Sequence, residues 1–445
     1  MPMFRFANAP QTTTHALWSN WSGTVQCQTE CLFYPSTEEE LVEIVLKAAQ
    51  EGRTIRVMGE GHSFSPLLET EVYIVSLRHL SGLVALDKEA STATAWAGMS
   101  IKDCNQALYE EGMAMINLGD IDVQSLAGAT ATGTHGTGTA FGNLSSEIVG
   151  FRLLTADGQL LNCSKEENPI IFAAGRISLG ALGIITQLTF NVIPAYKLEY
   201  TSTAGLFEET MSKIEQYNQE NRNFEYYYFP YSDTLQLKIS NITDKPVKHN
   251  ATLSYLNDVV MENGVFGMVT KLGSKLPKLK KFISRSIANA VPERTIINYS
   301  HKVYATVRQV RFKEMEYNIP REHFDACMRE VKAAIEGETY FVFFPVECRF
   351  VKGDDCWLSP AYERDSAYIA IHTLPNMPHE PYFSDMEAIF KKYQGRPHWG
   401  KMHNRTATDL APVYEKWEDF LALRERLDPQ GLFLNPYLKQ LFGLA

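Results

Sequence analysis

The stretch Thr54-Ile-Arg-Val-Met-Gly-Glu-Gly-His-Ser-Phe-Ser65 opens as a strand and closes as a loop. Thr54 to Val57 alternate polar and apolar residues and include β-branched side chains, the period of a half-buried strand. Gly59 and Gly61 break that period. Two glycines there permit positive φ and let backbone N–H groups approach a bulky anion without a Cβ between them. Ser63 and Ser65 add hydroxyl donors, and His62 lies on the same loop. One reading is a diphosphate-cradling loop that carries a nucleophilic imidazole. The other is a strand-to-loop turn with a polar histidine. The glycine spacing is not G-x-G-x-x-G and no G-K-[ST] follows, so neither a Rossmann nor a P-loop site is supported.

A second stretch works in the same direction. In Leu118-Gly-Asp-Ile-Asp-Val-Gln-Ser-Leu-Ala-Gly-Ala-Thr-Ala-Thr-Gly-Thr-His-Gly-Thr-Gly138, nothing from Ala127 to Thr139 exceeds threonine in size except His135. Such a run has no apolar stripe of its own. It suits backbone laid against a flat, extended ligand with N–H and O–H donors turned toward it. A Gly/Thr linker would have the same composition, but firm structural signals flank this one.

Composition bounds the rest. The chain has 445 residues, 45% hydrophobic and 21% charged, with a formal net charge of −10. That length implies more than one domain, and the acidic balance argues against nucleic acid as the main partner. Seven cysteines, scattered and odd in number, make no disulfide framework. Cys27 and Cys31 lack a second pair that would complete a zinc site, so no metal is expected. Met1-Pro-Met-Phe-Arg-Phe does not read as a signal peptide, and no apolar stretch is long enough to span a bilayer, so the reading is cytoplasmic.

Around these stretches the order is that of an α+β protein. Pro35 to Gln50 reads as a helix capped by Ser36 or Thr37, with acids in its first turn, an apolar face of Leu41, Ile44, Val45 and Ala48, and Gly52 at its end. Short strands at Tyr73 and Ala93, a helix capped by Ser100, a hairpin turning at Ala156-Asp-Gly158 and an alternating strand Ile184–Val192 stopped by Pro194 follow. The first boundary falls at 195. Residues 196–400 change texture: aromatic strands such as Phe224-Glu-Tyr-Tyr-Tyr-Phe, an amphipathic helix His323–Glu336 and a strand Tyr340–Val351 predict an antiparallel sheet covered by helices. Residues 264–291 form a basic amphipathic patch. It either touches a membrane surface peripherally or packs on its own domain with a solvated basic face. The tail, 401–445, adds a helix from Pro412 to Leu427.

Gly59-x-Gly61-His62-Ser63, Ala127-Gly-Ala-Thr-Ala-Thr-Gly-Thr-His-Gly136, Glu347-Cys-Arg349, His398-Trp-Gly-Lys401 and Phe433-Leu-Asn-Pro-Tyr-Leu438, in this order and spacing, resemble the aldonolactone oxidase branch of the vanillyl-alcohol-oxidase-type flavoproteins. Alditol oxidase is a near relative of that branch. The resemblance covers nearly the whole chain. It implies an FAD domain (1–195), a substrate or cap domain (196–400) and a segment (401–445) returning to the flavin side. It implies oxidation of an alcohol carbon of a sugar 1,4-lactone, with a polyol as the alternative substrate and O2 or another acceptor taking the electrons. His62 would be bonded through its ring to the flavin, making it a stronger oxidant. Val57, Gly59, Glu60, Gly61, His62, Ser63, Phe64, Ser65, Leu118, Gly119, Asp120, Ser125, Gly128, Ala129, Thr132, Gly133, Thr134, His135, Gly183, Ile185, His398 and Lys401 would line the cofactor.

Alcohol oxidation needs a group to take the O–H proton and cations near the charge that arrives on the flavin. Glu347 and Arg349 lie at i and i+2 on a predicted strand and so share a face, either as site residues or as a salt-bridged surface. Lys401 matches the family's lysine beside the reacting hydroxyl. His372 is either a further member of the site or a satisfied core histidine. One departure stands out. Gly119-Asp120 replaces the family's small residue followed by serine. The glycine implies a passage toward the flavin that favours O2, and the carboxylate of Asp120 is a candidate ligand for a substrate hydroxyl.

Overall fold

The computed structural model describes residues 11–248, 280–289, 291, 293–305, 310–337, 340, 342 and 344–444. The helix expected after Pro35 forms over Glu38–Glu51. Thr37 is its cap, its hydroxyl accepting from the Glu40 N–H, and Gly52 ends it in the left-handed conformation at φ 64°. It packs on a four-stranded sheet in the order Gln11–Ser19, Gln26–Tyr34, Tyr73–Ser76, Ile55–Met58, whose last two pairings are parallel. The glycine loop therefore leaves an edge strand. An antiparallel sheet follows, ordered Leu83–Asp87, Thr92–Trp96, Ile184–Pro194, Ile148–Leu154, Leu160–Ser164, with Met113–Met115 pairing the end of Ile184–Pro194. Leu410, Trp417, Phe420, Leu432 and Leu438 share one core with Leu41, Ile44 and Val45, so the C-terminal segment is built into this half.

Arg56 fixes that closure. Its guanidinium is buried and donates to the carbonyls of Leu67, Leu179, Gly180 and Phe433, at 2.6 to 3.3 Å. Burial alone lowers its pKa, to about 10, so it remains a cation held by carbonyl dipoles. Asn435, fully buried, adds bonds from its amide to the carbonyls of Pro66 and Glu69.

The remaining strands form one antiparallel sheet of eight: Arg294–Tyr299, Lys197–Leu206, Thr234–Ile242, Asn223–Tyr228, Val346–Val351, Ser366–Thr373, Lys313–Pro320 and Arg396–Pro397. Its two faces differ. Directly opposed residues share a face, and Leu237, Tyr226, Cys348, Ile369 and Tyr317 are aligned across five strands. They are buried with Phe324, Val331, Phe383 and Phe390 of the covering helices Phe324–Glu336 and Glu380–Lys392. The opposite face is polar. Lys238, Glu225, Arg349, Tyr368 and Asn318 form one row, Tyr227, Glu347, Ala370 and Glu316 the next, and His372 opposes Glu314.

Two elements are shorter than the sequence suggests. The strand expected from Tyr340 starts at Val346, after Pro345, which has no N–H for the ladder. The tail helix starts at Trp417 rather than Pro412, because Tyr414 takes an extended conformation (φ −116°, ψ 104°) and buries its ring. Of the basic patch, residues 264–279 lie outside the described residues, and Lys280–Asn289 is a helix.

Candidate active site

Three segments far apart in sequence meet at the glycine loop. Phe64 N–H donates to the Gly400 carbonyl (2.7 Å), and the Ser65 hydroxyl donates to that of Trp399 (2.6 Å). On the other side Asn20 donates to the Ser63 carbonyl. A Cβ on Gly59 would lie 2.6 Å from Ser125 Oγ, so glycine lets the loop meet the Ser125–Gly128 turn without turning that hydroxyl from its cap. A Cβ on Gly136 would lie 2.2 Å from the Leu118 carbonyl oxygen, which seats the small-residue run against residues 117–119. Ser125 caps a short helix, Leu126–Ala131, and residues 132–138 then run on without regular structure. His62 is half-buried and stacks on Trp21, ring centroids 5.7 Å apart. Burial, helped by the charge of Lys401, lowers its pKa and favours the neutral ring.

The polar sheet face meets this junction. Glu314 bridges Lys401 (Nζ–Oε2 2.5 Å) and His372 (Nε2–Oε1 3.5 Å), and Lys401 lies over the Phe64 ring. Burial pushes the Glu314 carboxyl up, but Lys401 and His372 outweigh it and hold it at about 2. Two residues along the strand, Glu316 accepts from His135 Nε2 (3.1 Å). The other nitrogen of that ring faces the Gly136 carbonyl (2.8 Å). Both nitrogens thus face oxygen atoms, one of a carbonyl and one of a carboxylate. His135 also stacks on Tyr368 at 3.6 Å and lies 5.7 Å from the ring of His398.

A second charge cluster centres on Arg349. Its Nη2 meets Asp120 (2.5 Å) and Glu347, and its Nε meets Glu225 (2.9 Å). Burial opposes the cation, and Asp120, Glu347 and Glu225 together overcome it, so its pKa is raised. Lys238 reaches Glu225 (3.3 Å) and sits 3.9 Å over the Tyr227 ring. A carboxylate oxygen from each of Asp120, Glu225 and Glu347 falls within one 4.8 Å cluster. The guanidinium bonds to all three.

The imidazoles of His398 and His403 make the fold acid-sensitive. His398 Nδ1 accepts from Gly400 N–H and His403 Nδ1 from Arg405 N–H, so both rings are held neutral. Burial pushes His398 down to about 3 and His403 down to about 4. The unfolded chain binds these protons near pH 6.5, so this stability is complete above that value and is lost as pH falls toward the native values. Glu314 adds to the loss below about pH 4.5. Unfolding free energy is expected to fall by about 1.4 kcal/mol per pH unit for each imidazole as pH drops from 6.5 toward 4. His403→Asn should remove one increment. A flat denaturation profile across that range would show that the rings are already protonated in the native state.

Residues 188–441 match the family model described as D-arabinono-1,4-lactone oxidase, and residues 29–164 match that of an FAD-binding domain. The chain belongs to the D-arabinono-1,4-lactone oxidase family. It is 35% identical to L-gulono-1,4-lactone dehydrogenase of Mycobacterium tuberculosis over 96% of this chain and 99% of that protein. It is 32% identical to the L-gulonolactone oxidase of Bos taurus, over 96% and 98% of the two chains. The fold is that of cholesterol oxidase from B. sterolicum, with a TM-score of 0.83 over 98% of each chain at 18% identity. The cofactor of this D-arabinono-1,4-lactone oxidase family member is FAD, and the residues present fit it. Among the described residues the N–H groups of Glu60, Gly61, His62 and Ser63 donate to no protein acceptor. The Gln124 Oε1 atom, buried beside Thr134, has no partner.

Gly59 to Ser65, Leu118 to Asp120, Ser125 to His135, His398 and Lys401 are thus gathered at one junction, with Val57 at the end of the edge strand. Gly183 and Ile185 pack against Leu153 and Leu154, and it is Ile177 and Leu179 that meet Ala131 and Gly133. Gly119 has a packing reason of its own, since a Cβ there would lie 3.0 Å from the His135 carbonyl oxygen. Asp120, Glu347 and Arg349 form one cluster, while Lys401 and His372 belong to the other. Sequence reasoning missed Glu225, Lys238, Glu314 and Glu316. A signal was present: Glu314, Glu316 and Asn318 alternate with Met315, Tyr317 and Ile319, placing acids at period two in a strand buried on both faces.

Proposed function

We propose that this protein is an FAD-dependent enzyme that oxidises an alcohol carbon of a sugar 1,4-lactone, with O2 or another acceptor taking the electrons. The observation that carries it is the polar sheet face, which bears Glu347–Arg349–Asp120 and also Lys401–Glu314–His372, the latter reaching the His62 loop through Lys401 over Phe64. FAD supplies the hydride acceptor. In this reading Lys401, paired with Glu314, donates a hydrogen bond to the hydroxyl oxygen as negative charge develops on it. Glu347 takes the hydroxyl proton, and Asp120 accepts from a neighbouring hydroxyl. Trp21, Phe64 and Phe312 stack edge and face around the loop and limit water there. Arg349, already engaged by three carboxylates, orients Glu347 and Asp120. The names of the relatives favour a lactone over a free alditol.

The same reading places a covalent bond between the His62 ring and the flavin. A neutral, half-buried imidazole fixed by Trp21 supports it. Residues 1–195 with 401–445 would form the flavin unit and 196–400 the substrate unit. All seven cysteines are free thiols, as a reducing cytoplasm keeps them. Among the described residues no helix is long and apolar enough to cross a membrane. Two measurements test the proposal. Acid-precipitated protein is expected to keep its yellow colour and His62→Ala to release it, and an aldono-1,4-lactone added without air is expected to bleach the native protein. Colour lost from precipitated wild-type protein removes the covalent bond. Absence of bleaching with every lactone tried removes the activity.

A further inference from the structure

His398 carries a donor that the fold does not use. Its Nδ1 accepts from the Gly400 N–H at 3.0 Å, so the proton of the neutral ring sits on Nε2. The residue is only 5% exposed, yet among the described residues no acceptor takes that Nε2–H. Glu316 is close. A ring nitrogen of His398, one of His135 and a Glu316 oxygen all lie within 4.8 Å of one another, but the bond of Glu316 is to His135 Nε2, at 3.1 Å. A buried donor left without an acceptor is costly and calls for a reason.

The ring stands where the two glycine-rich stretches of the FAD junction meet. At Gly400 a Cβ would lie 3.3 Å from His398 Cε1 and 3.4 Å from Ser63 Oγ, so the imidazole reaches the glycine loop across that residue. Its centroid is 5.7 Å from that of His135, which belongs to the small-residue run. We propose that His398 Nε2–H is a hydrogen-bond donor to the flavin ring, given to an oxygen or nitrogen that gains negative charge when FAD is reduced. The inference rests on FAD as the cofactor and is independent of the substrate. A fixed, neutral donor in a buried site holds the reduced form more tightly than the oxidised one and raises the reduction potential.

The test is the midpoint potential of the FAD-loaded protein, titrated without air with dithionite against a reference dye and with no lactone present. His398→Asn keeps an acceptor near Nδ1 for the Gly400 N–H and has no donor near Nε2. His398→Gln does the reverse. The Asn variant is expected to favour oxidised flavin about 10-fold more than the wild type, a fall of about 30 mV for a two-electron couple. The Gln variant is expected to stay within about threefold of the wild type. A ring that serves only the Gly400 N–H gives the opposite order, with Asn unchanged and Gln shifted. That order, or equal shifts in both variants, overturns the inference. Should a variant lose its FAD, the wild type gives a second measurement. In protein with isotope-labelled histidine, the Nε2–H signal of His398 is expected to move when the flavin is reduced. A signal that stays in place overturns the inference as well.

Discussion

Lys401→Met is expected to slow bleaching of the flavin by lactone by about 10²- to 10⁴-fold, with a smaller change in the concentration that half-saturates the rate. The ammonium lies 2.5 Å from Glu314 and over the Phe64 ring, beside the His62 loop. Charge that develops on the substrate oxygen meets it only as the O–H bond breaks, so its loss falls on the rate. Removing it also strips Glu314 of its main compensating charge. Burial then acts on that carboxyl with only His372 opposing, and its pKa rises from about 2. The variant should therefore acquire a pH dependence, in the acid range, that the wild type lacks. Lys401→Arg keeps the charge but replaces a compact donor by a planar fork, and should recover only part of the rate. A Lys401→Met rate within threefold of wild type would remove this residue from the chemistry.

Arg349→Met is expected to cost about 3–5 kcal/mol of stability, as breaking a buried ion pair does, besides abolishing activity. Asp120, Glu225 and Glu347 would face one another, with Lys238 still on Glu225. Their repulsion would raise carboxyl pKa values in the folded variant above those of the unfolded chain. Stability tied to raised carboxyl values is present at low pH and lost as pH rises through them. Arg349→Met should thus gain stability between pH 7 and 5 relative to wild type, against the acid sensitivity set by His398 and His403. Chemical denaturation at both pH values reads the difference. A variant unfolding with the wild-type midpoint at pH 7 would show that the three carboxylates have other compensation.

Local chemistry was legible in the sequence. Thr37, three acids and Gly52 mark one helix, and the glycines at 59 and 61 with His62 mark the loop, because each signal lies within a few residues of what it controls. Glu347 and Arg349 were legible as a pair through the period of their strand. Their partners were not. Glu225 meets Arg349 only because Asn223–Tyr228 pairs with Val346–Val351, across 124 residues. Lys238 enters through a further strand. Glu314 opposes His372 by register alone. Strand adjacency is a property of the assembled sheet, so the compensation of a charge cannot be read where the charge is written. Arg349 shows the consequence, since its fork read as a group for the flavin and the sheet gives it to three acids.

The stitches between the glycine loop and the tail also set an order of events in the cell. Pro66 and Asn435 are separated by 369 residues, and Phe64 and Ser65 depend on Trp399 and Gly400. At about 5–20 residues per second on the ribosome, the loop waits roughly 20–70 s for the partners that fix it. Pigment uptake is therefore expected only after synthesis has passed Asn435, and a nascent chain stalled earlier is expected to stay colourless in excess FAD.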